Sequence, residues 1–375
     1  MQNICLGGNM AKSKVYFTDF STKGKESLLK KLERLIKKAG IEKIDFKDQY
    51  VVIKVHFGEP GNMSYLRPNY GKVIADLVKS KGGKVFFSDC NTLYVGRRKD
   101  ALEHLDTAYE NGYNPFATGC QVIIGDGVKG IDEEIVPING EYIKEAHIGK
   151  AIMDADIFIS LSHFKGHIET GFGGALKNIG MGCGSRAGKM AMHQDGKPRI
   201  RGKCVGCHKC LAACASGAIE FDEQGKIKIN KNCVGCGKCI GYCNYDVIAT
   251  NWNAPELLNY KIAEYAYAVV KDRPNFHVSL ICDVSPDCDC MDENDIPIIP
   301  DIGMLASFDP VALDQACGDL ANKAEVIATS ELGKIKNRGK DHFTSLHPDT
   351  DWHTQISHGE KIGLGHKDYE LIEVK

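Results

Sequence analysis

The feature that most constrains this chain is a pair of cysteine runs near its middle. The first is Cys204-Val-Gly-Cys207-His-Lys-Cys210-Leu-Ala-Ala-Cys214, and the second is Cys233-Val-Gly-Cys236-Gly-Lys-Cys239-Ile-Gly-Tyr-Cys243. Each has the spacing C-x2-C-x2-C-x3-C, in which three thiolates surround one cubane iron–sulfur cluster and the fourth ligates the other cluster of a pair. The spacing therefore predicts two 4Fe–4S clusters. The predicted ligands are Cys204, Cys207, Cys210 and Cys243 for one cluster, and Cys233, Cys236, Cys239 and Cys214 for the other.

The two runs are copies of one unit. An offset of 29 residues superposes the four cysteines, and also Val205 on Val234, Gly206 on Gly235 and Lys209 on Lys238. A short repeat of this kind indicates two packed copies related by a pseudo-twofold axis. Residues 203–250 resemble the bacterial two-cluster ferredoxin module. That family usually has proline after the last cysteine of each run, whereas this chain has Ala215 and Asn244, a departure that removes no ligand.

Three other interpretations of these cysteines explain less. Cys204-Val-Gly-Cys207-His208 matches the attachment signature of c-type haem, but the second copy has Gly237 in place of the histidine. Structural zinc takes four ligands per site, which gives no reason for a third cysteine at fixed spacing. Disulfides are disfavoured because sixteen cysteines without an export signal indicate a reducing cytoplasm.

Composition limits what the rest of the chain can do. Its 375 residues are 43% hydrophobic and 26% charged, which is ordinary for a globular protein of one to three domains. A net charge of −2 gives no support for binding nucleic acid or an anionic membrane. No apolar run approaches the roughly 20 residues of a membrane span, and the amino terminus lacks the pattern of a secretory signal. We therefore expect a cytoplasmic protein in which residues 1–13 form an N-terminal extension.

Strand and helix patterns alternate on both sides of the cysteine runs. Strands are predicted at 14–20, 50–57, 84–89, 121–124, 155–161, 276–281 and 296–305, and helices at 25–39, 70–80, 98–111, 255–272 and from 309 onward. This alternation predicts an α/β fold with a mostly parallel, doubly wound sheet. Because the pattern resumes after the second run, a small α+β ferredoxin-like module is predicted as an insertion. The expected units are a discontinuous α/β domain, residues 14–200 and 251–375, and a module at 201–250.

In such a sheet, the loops that follow the carboxyl ends of the strands line the ligand crevice. The loops in question are 56–62, 89–98, 126–130 and 162–174. The segment 125–130 matches G-x-G-x-x-G, but a strand with Pro137 follows instead of a helix, so we interpret it as a turn. The glycines of 171–180 open a predicted helix and indicate either an anion site or close backbone packing. The basic, glycine-rich stretch 182–202 is predicted to be a solvated linker, with the alternative that its charges steer a negatively charged redox partner.

Several motifs outside the cysteine runs resemble one family. They are Lys54-Val-His-Phe-Gly58, Ser162-His-Phe-Lys-Gly-His167, Gly171 to Asn178 with Met181-Gly-Cys183, Pro286-Asp-Cys288-Asp-Cys290, and Asp301-Ile-Gly-Met-Leu with Asp309-Pro310. Over residues 14–323 the chain resembles the "domain of unknown function 362" family of bacterial and archaeal iron–sulfur proteins. The resemblance implies an α/β architecture, an iron–sulfur cofactor and a ferredoxin module in this position. It implies no substrate.

A second group of reactive side chains lies in the predicted loops. Its members are His56, His163, Lys165, His167, Cys288 and Cys290, the two cysteines being in an acidic loop. Imidazole, thiolate and carboxylate groups that meet in one place would bind a metal or a substrate. The alternative is that the histidines only fix loops and the acidic residues solvate a turn.

Two functions from different classes follow. Most of the chain lies outside the module, so the first is an iron–sulfur oxidoreductase. Its clusters would exchange electrons between a redox partner protein or carrier and a small-molecule site in the α/β domain. The second is a non-catalytic iron–sulfur accessory, maturation or redox-sensing factor that docks a partner protein. A hydrolase ranks third, because the chain has no G-x-S-x-G motif. The segment after Lys323 is predicted to be a mixed tail that packs on the domain.

Overall fold

The computed structural model describes residues 12–22, 24, 26–193, 197–250 and 257–375. The strands are β1 (Ser13–Asp19), β2 (Tyr50–Lys54), β3 (Lys84–Asp89), β4 (Gln121–Ile124), β5 (Glu133–Pro137), β6 (Glu145–Gly149), β7 (Ile157–His163), β8 (Lys165–His167), β9 (Gly171–Gly173), β10 (Pro198–Ile200), β11 (Ile219–Phe221), β12 (Ile227–Ile229), β13 (Ile248–Thr250), β14 (Asn275–Ile281), β15 (Gly303–Ser307) and β16 (Tyr369–Glu373). The helices are α1 (Leu28–Ala39), α2 (Pro68–Ser80), α3 (Ala101–Glu110), α4 (Pro115–Thr118), α5 (Lys150–Met153), α6 (Ala175–Cys183), α7 (Arg186–Met192), α8 (Lys209–Ala213), α9 (Lys238–Tyr242), α10 (Leu258–Val270), α11 (Pro310–Lys323), α12 (Glu331–Lys334), α13 (His342–Leu346) and α14 (His353–Lys361). Residues 1–11 of the predicted extension lie outside the described residues.

A large mixed sheet forms the centre of the α/β part. Its strand order is β16-β1-β15-β14-β7-β2-β3-β4. Neighbouring strands run parallel except at β15, which is antiparallel to both β1 and β14. The predicted α/β fold with a mostly parallel, doubly wound sheet is therefore confirmed.

Helices cover both faces of this sheet. On β2, Val52 packs into the core layer that holds α6, α10 and α11, while Val51 and Ile53 pack into the layer that holds α1 and α2. A strand buried on both faces needs an unbroken apolar run, which is why residues 51–53 show no alternation of apolar and polar residues.

The strand order reverses beside β2, since β3 lies on one side of it and β7 on the other. Ligands of doubly wound sheets bind outside the carboxyl ends of the strands at such a switch point. Here those ends carry Lys54 on β2, Asp89 on β3 and His163 on β7.

The cysteine-rich segment forms a small α+β unit of two similar halves. Its strands pair as β10 with β13 and β11 with β12, and β10 precedes the predicted boundary at residue 201. The helices α8 and α9 both begin after a residue in the left-handed region, His208 at φ 60° and Gly237 at φ 65°. Those two residues occupy the same place in the repeat, so the copies share one local backbone conformation. The boundaries of the insertion stay a prediction.

The expectation of a solvated linker at 182–202 is wrong. Residues 186–192 form α7, and Arg186 is fully buried. The Arg186 guanidinium donates to the carbonyls of Thr92, Lys99 and Lys129. The basic character of this stretch therefore supplies internal hydrogen bonds that hold loops of the α/β part, which the local sequence pattern does not reveal.

The carboxyl-terminal segment completes the main sheet and packs on its core. Strand β16 runs parallel to β1 at the edge of the sheet. The rings of Phe343 and Trp352 pack against Phe172. The expected mixed tail is thus an integral part of the domain. Within the described ranges, no helix is long and apolar enough to cross a membrane.

Candidate functional site

A cavity of about 130 Å³ lies at the carboxyl ends of β2, β3 and β7. Its polar lining consists chiefly of Lys54, His56, Asp89, Tyr94, Arg98, Lys165, His167, Glu169, Lys177, Asn178, Lys189, His193 and Cys290. Three of the four predicted loops contribute to this lining. The loop 126–130 does not, and Asp126 instead accepts hydrogen bonds from the backbone and side-chain amides of Asn91.

Buried ion pairs form one wall of the cavity. The Lys54 ammonium lies 2.9 Å from a carboxylate oxygen of Asp89. Arg98 lies 2.9 Å from Glu59 and 3.5 Å from Asp89. Burial alone would raise the pKa of Asp89, but Lys54 and the other cationic neighbours hold it below its usual value. The cavity thus keeps fixed charges away from bulk water.

Two of the predicted histidines line the cavity in the same way. The Nδ1 atom of His56 accepts the N–H of Gly58 at 3.1 Å, and Nδ1 of His167 accepts the N–H of Glu169 at 3.1 Å. An accepting nitrogen carries no proton, so each neutral ring carries its proton on Nε2. Burial lowers the pKa of both rings, that of His167 to about 4. At neutral pH each ring is therefore an uncharged N–H donor.

His163 has a different role from His167, although the two are four residues apart. It ends β7 beneath the cavity, where Nδ1 lies 2.8 Å from Asp289 and Nε2 lies 2.7 Å from the carbonyl of Cys282. The ammonium of Lys165 is 3.4 Å from the same carboxylate. His163 therefore fixes the 282–290 loop and does not line the cavity.

Gly166, between the two histidines, sets how closely this loop approaches. A Cβ atom at residue 166 would lie 1.9 Å from the carbonyl oxygen of Pro286. A glycine is therefore required where β8 meets the loop that carries the two cysteines.

The thiols of Cys288 and Cys290 meet His167 beside the cavity. The three ligand atoms lie within 4.8 Å of one another, and the Lys177 ammonium is 3.5 Å from the Cys288 sulfur. Cys288 is buried, with 2% of its surface exposed, whereas Cys290 lines the cavity. A hydrogen bond from Cys290, together with Lys177 and His167, lowers the pKa of Cys288 well below its ordinary value. The same bond raises the pKa of Cys290.

These three side chains have the composition of a metal site, but their surroundings favour a hydrogen-bonded thiolate. A histidine that binds a metal ordinarily donates its other ring N–H to an acceptor. In His167 the other nitrogen, Nδ1, already accepts a backbone N–H, so binding a metal through Nε2 would require loss of the only ring proton. The cationic Lys177 also lies against the sulfur that the metal would take.

The glycines before α6 serve close packing. The backbone N–H groups of Ala175 and Leu176 donate to the Asp314 carboxylate at 2.6 and 2.8 Å. A Cβ atom at residue 174 would lie 2.3 Å from Asp314. The first amides of α6 thus already bind a carboxylate of the same chain. Of the two alternatives, an anion site or close backbone packing, the structure supports close packing.

One of the two predicted ligand sets lies together in space. Cys204, Cys207, Cys210 and Cys243 line one hollow of the small unit. In the other set, burial and the neighbouring thiols Cys236 and Cys233 raise the pKa of Cys239 to about 12. Backbone amides already point at two sulfurs, from Gly206 to Cys204 at 3.4 Å and from Ala218 to Cys214 at 3.2 Å. The residues therefore fit a sulfur-bridged cluster, and the clusters themselves stay a prediction.

The cysteine-rich unit contacts the wall of the cavity. Leu93 lines the cavity and packs in the same apolar cluster as Cys210, Cys239 and Cys243. On α7, Met190 packs in that cluster while the adjacent Lys189 lines the cavity. One layer of side chains therefore separates the cysteine-rich unit from the cavity.

Sequence reasoning missed much of the charged lining. Asp89, Tyr94 and Arg98 lie in the predicted crevice loop 89–98 but are not singled out there by the sequence, and Lys54, Lys177, Lys189 and His193 have no predicted site role. For two of them a signal exists in the sequence. Lys54 and Asp89 each end an apolar strand, and a charge placed there points into the crevice of a doubly wound sheet.

Comparisons with known proteins agree with the family resemblance. The model of the family described as "Domain of unknown function (DUF362)" matches residues 51–319, which is more than half of the chain. No curated protein matches.

Two solved structures are similar in fold. A crystal structure of a Thermotoga maritima protein is 10% identical, with a TM-score of 0.39, over 78% of this chain and 58% of that one. The lactate racemase apoprotein from Thermoanaerobacterium thermosaccharolyticum is 12% identical, with a TM-score of 0.38, over 96% of this chain and 83% of that one. We transfer no function from either protein.

Proposed function

This chain belongs to the DUF362 family, and we propose that it is an iron–sulfur protein that carries electrons through two 4Fe–4S clusters to a redox site in its α/β domain. The observation that carries the proposal is the eight-cysteine repeat, and it is supported by one hollow lined by Cys204, Cys207, Cys210 and Cys243. When bound, the clusters supply one-electron chemistry. The chain's own residues hold them, shield them from water and set their potential.

The apolar surroundings support this role. Ile219, Ile227 and Ile248 pack with the cysteines in a small core of their own. Burial and amide hydrogen bonds to sulfur are the means by which proteins tune the potential of such clusters. The Gly206 and Ala218 amides are placed to make such bonds.

The contact between the two units supports transfer from the clusters to the cavity. Leu93 belongs both to the cavity lining and to the apolar cluster around the cysteines. Lys99 strengthens the junction, because its ammonium donates to the carbonyl of Cys243 at 3.0 Å and binds Asp246. Clusters held by the cysteine-rich unit would therefore deliver electrons to the wall of the cavity at this contact.

We propose partners for both ends of this path. The cavity takes a small polar molecule, because hydrogen-bonding and charged side chains such as His56, His167 and Lys189 line it. The outer ends of the cysteine loops expose Val205 and Val234, by 58% and 74%. An exposed valine in each cysteine loop provides a small apolar contact for transient binding of a redox carrier protein.

The accessory alternative predicts a flat docking surface in place of a substrate site. A cavity lined by His56 and His167, with buried charges in its wall, supports the oxidoreductase form. Retention of a small molecule after desalting would support it further. Stable co-purification of a protein partner with an empty cavity would support the accessory role.

The test of the proposal is the metal content and spectrum of the protein prepared without oxygen. We expect about eight irons per chain, an absorbance that bleaches on reduction with dithionite, and a paramagnetic signal from the reduced state. Cys120→Ser is the matched control, since Cys120 is a buried free cysteine of the α/β part and its loss should leave the iron unchanged. Four irons or fewer, with zinc in their place, would contradict the proposal.

A further inference from the structure

We infer that Cys288 and Cys290 form a redox-active pair, which opens to a dithiol and closes to a disulfide at the edge of the cavity. The inference deepens the proposed function and rests on it for the source of electrons. It names the redox site of the α/β domain and the class of reaction that takes place there, thiol–disulfide exchange.

The backbone around the pair suits closure. The sulfurs of Cys288 and Cys290 belong to a group whose atoms lie within 4.8 Å of one another, and the N–H of Met291 donates to the carbonyl of Cys288 at 3.0 Å to form a turn. Residues two apart in a turn have Cα atoms about 5–6 Å apart, which lies within the range that disulfides span. The pair therefore meets the Cα separation that a disulfide requires.

The surroundings of Cys288 stabilise a thiolate. Lys177 places its ammonium 3.5 Å from the sulfur, and His167, whose Nδ1 accepts a backbone N–H, is hydrogen-bonded to Cys288. The third donor is the S–H of Cys290, so the pair holds one negative charge and one proton. A thiolate is the reactive form in thiol–disulfide exchange.

The supporting residues hold the loop from below. Asp289, between the two cysteines, is fully buried and is bound by His163 at 2.8 Å and by Lys165 at 3.4 Å. The tail adds His347, whose Nε2 lies 2.9 Å from the carbonyl of Pro286. His163, Lys165 and His347 are positioning residues that keep both sulfurs beside the cavity.

The oxidation that closes the pair uses a small disulfide as the electron acceptor. As Cys290, which faces the cavity, attacks one sulfur of the acceptor, the Cys288 thiolate takes the proton of Cys290 and so acts as its base. The acceptor's S–S bond breaks, and its first half leaves as a thiolate that takes the proton from Cys288. The Cys288 thiolate then attacks Cys290 and displaces the second half as a thiolate. One disulfide bond forms, one breaks, and two electrons pass to the acceptor.

The reduction that opens the pair takes two electrons and one proton. Reduced clusters held by the cysteine-rich unit would supply the two electrons across the contact at Leu93. The S–S bond would break and take one proton from solvent, to give the Cys288 thiolate and the Cys290 thiol. Two clusters hold the two electrons that one disulfide requires. A one-electron carrier protein, which is the partner named in the proposed function, would then reduce the clusters again.

The experiment is a redox titration of the full, cluster-loaded chain without oxygen. The protein is equilibrated in glutathione buffers of graded disulfide-to-thiol ratio, quenched in acid and alkylated. Peptide mapping then counts the thiols at Cys282, Cys288 and Cys290. Iron is measured in the same samples. We expect Cys288 and Cys290 to lose their labels together with one midpoint, while Cys282 stays labelled.

Two variants make the assignment specific. Cys288→Ser should leave Cys290 unable to form an intrachain bond, so that it is recovered as a thiol or as a mixed disulfide with glutathione. Cys282→Ser is the matched control, because Cys282 is a buried cysteine of the same segment whose pKa burial raises. In that variant the titration of the pair should be unchanged.

The outcomes separate this inference from the proposed function. If both thiols stay labelled at every ratio while the iron is complete, the inference is overturned and the clusters stand. If the iron is missing but the pair still titrates, the proposed function fails and the dithiol pair stands. A metal ion beyond the clusters that is lost in Cys288→Ser would also overturn the inference, because those sulfurs would then be metal ligands.

Discussion

The cysteine-rich unit and the cavity use the same residue type in two chemically different ways. In the unit, burial and the other thiols raise the pKa of Cys239 to about 12, so its sulfur needs a bound metal ion to become a thiolate. At the cavity, Cys290 and Lys177 stabilise the thiolate of Cys288 without any metal. The comparison teaches that the neighbours of a cysteine decide whether its sulfur is a thiolate without a metal, as at Cys288, or stays a thiol, as at Cys239.

The first prediction separates the two kinds of cysteine by iron content. Cys239→Ser removes a ligand of one predicted cluster, so we expect it to lose about four of about eight irons. Cys288→Ser should keep all of them. Iron and acid-labile sulfide per chain, measured on protein prepared without oxygen, give the result. Equal iron loss in both variants would show that Cys288 is needed for iron binding as much as Cys239 is, which contradicts the prediction.

The second prediction concerns the fixed charges of the cavity. Lys54→Met leaves the buried Asp89 with Arg98 at 3.5 Å as its nearest remaining cation. Removing one partner of a buried ion pair costs about 3–5 kcal/mol of the free energy of unfolding. Lys72→Met breaks an exposed pair with Asp76 and should change that energy by less than about 0.5 kcal/mol. Urea unfolding followed by circular dichroism compares them, and equal losses would show that the cavity charges are not held away from water.

The third prediction tests the junction between the two regions. Gly206 and Gly237 both adopt left-handed backbone, at φ 68° and 65°, so alanine at either position costs about 1 kcal/mol. A Cβ atom at residue 237 would also lie 2.9 Å from Cγ of Arg186 and 3.0 Å from Cγ of Met190, whereas residue 206 has open space. We expect Gly237→Ala to lose about 1–2 kcal/mol more than Gly206→Ala in urea unfolding. An equal loss of unfolding free energy in the two variants would mean that α7 does not pack tightly against the cysteine-rich unit.

The fourth prediction uses pH to identify the exchanging thiol. Because the pKa of Cys288 lies below its ordinary value, its thiolate, and hence alkylation of the pair, should persist at pH values below the roughly 8.5 of a free cysteine. Lys177→Gln removes a nearby cation, so we expect the midpoint of alkylation to rise by about one pH unit. Lys177→Arg should keep it low. The midpoints come from the rates of labelling at Cys288 and Cys290, followed by peptide mapping. An unchanged midpoint in Lys177→Gln would show that Lys177 does not stabilise the Cys288 thiolate.

The two regions also differ in how far the sequence predicts them. The ligands of each run lie within eleven residues along the chain, so their spacing carries the chemistry and the tertiary fold adds little. The cavity brings together strand ends that are far apart, such as Lys54, Asp89 and His167. The α/β pattern predicts which loops meet there, but it does not specify which side chains point inward.

Some local patterns mislead because tertiary contacts overrule them. The stretch around Arg186 has the glycines and charges of a linker. The Arg186 guanidinium nevertheless donates hydrogen bonds to three carbonyls of loops that are distant in the sequence. His163 and His167 share a spacing that suggests a common role, but one ends a strand beneath the cavity and the other faces it. The roles of Arg186, His163 and His167 depend on residues that are distant in the sequence, so a local sequence pattern cannot predict them.

The central claim is that electrons pass from the cysteine-rich unit to the pair at the cavity. It is tested most directly by closing the pair with glutathione disulfide, removing the glutathione, and reducing the clusters of the desalted protein photochemically without oxygen. Cluster absorbance and free thiols are then followed in the same sample. We predict that the clusters reoxidise as Cys288 and Cys290 reappear as thiols, two electrons for each pair opened, and that Cys290→Ser keeps its clusters reduced. Clusters that stay reduced beside a closed pair in the natural chain would contradict the account.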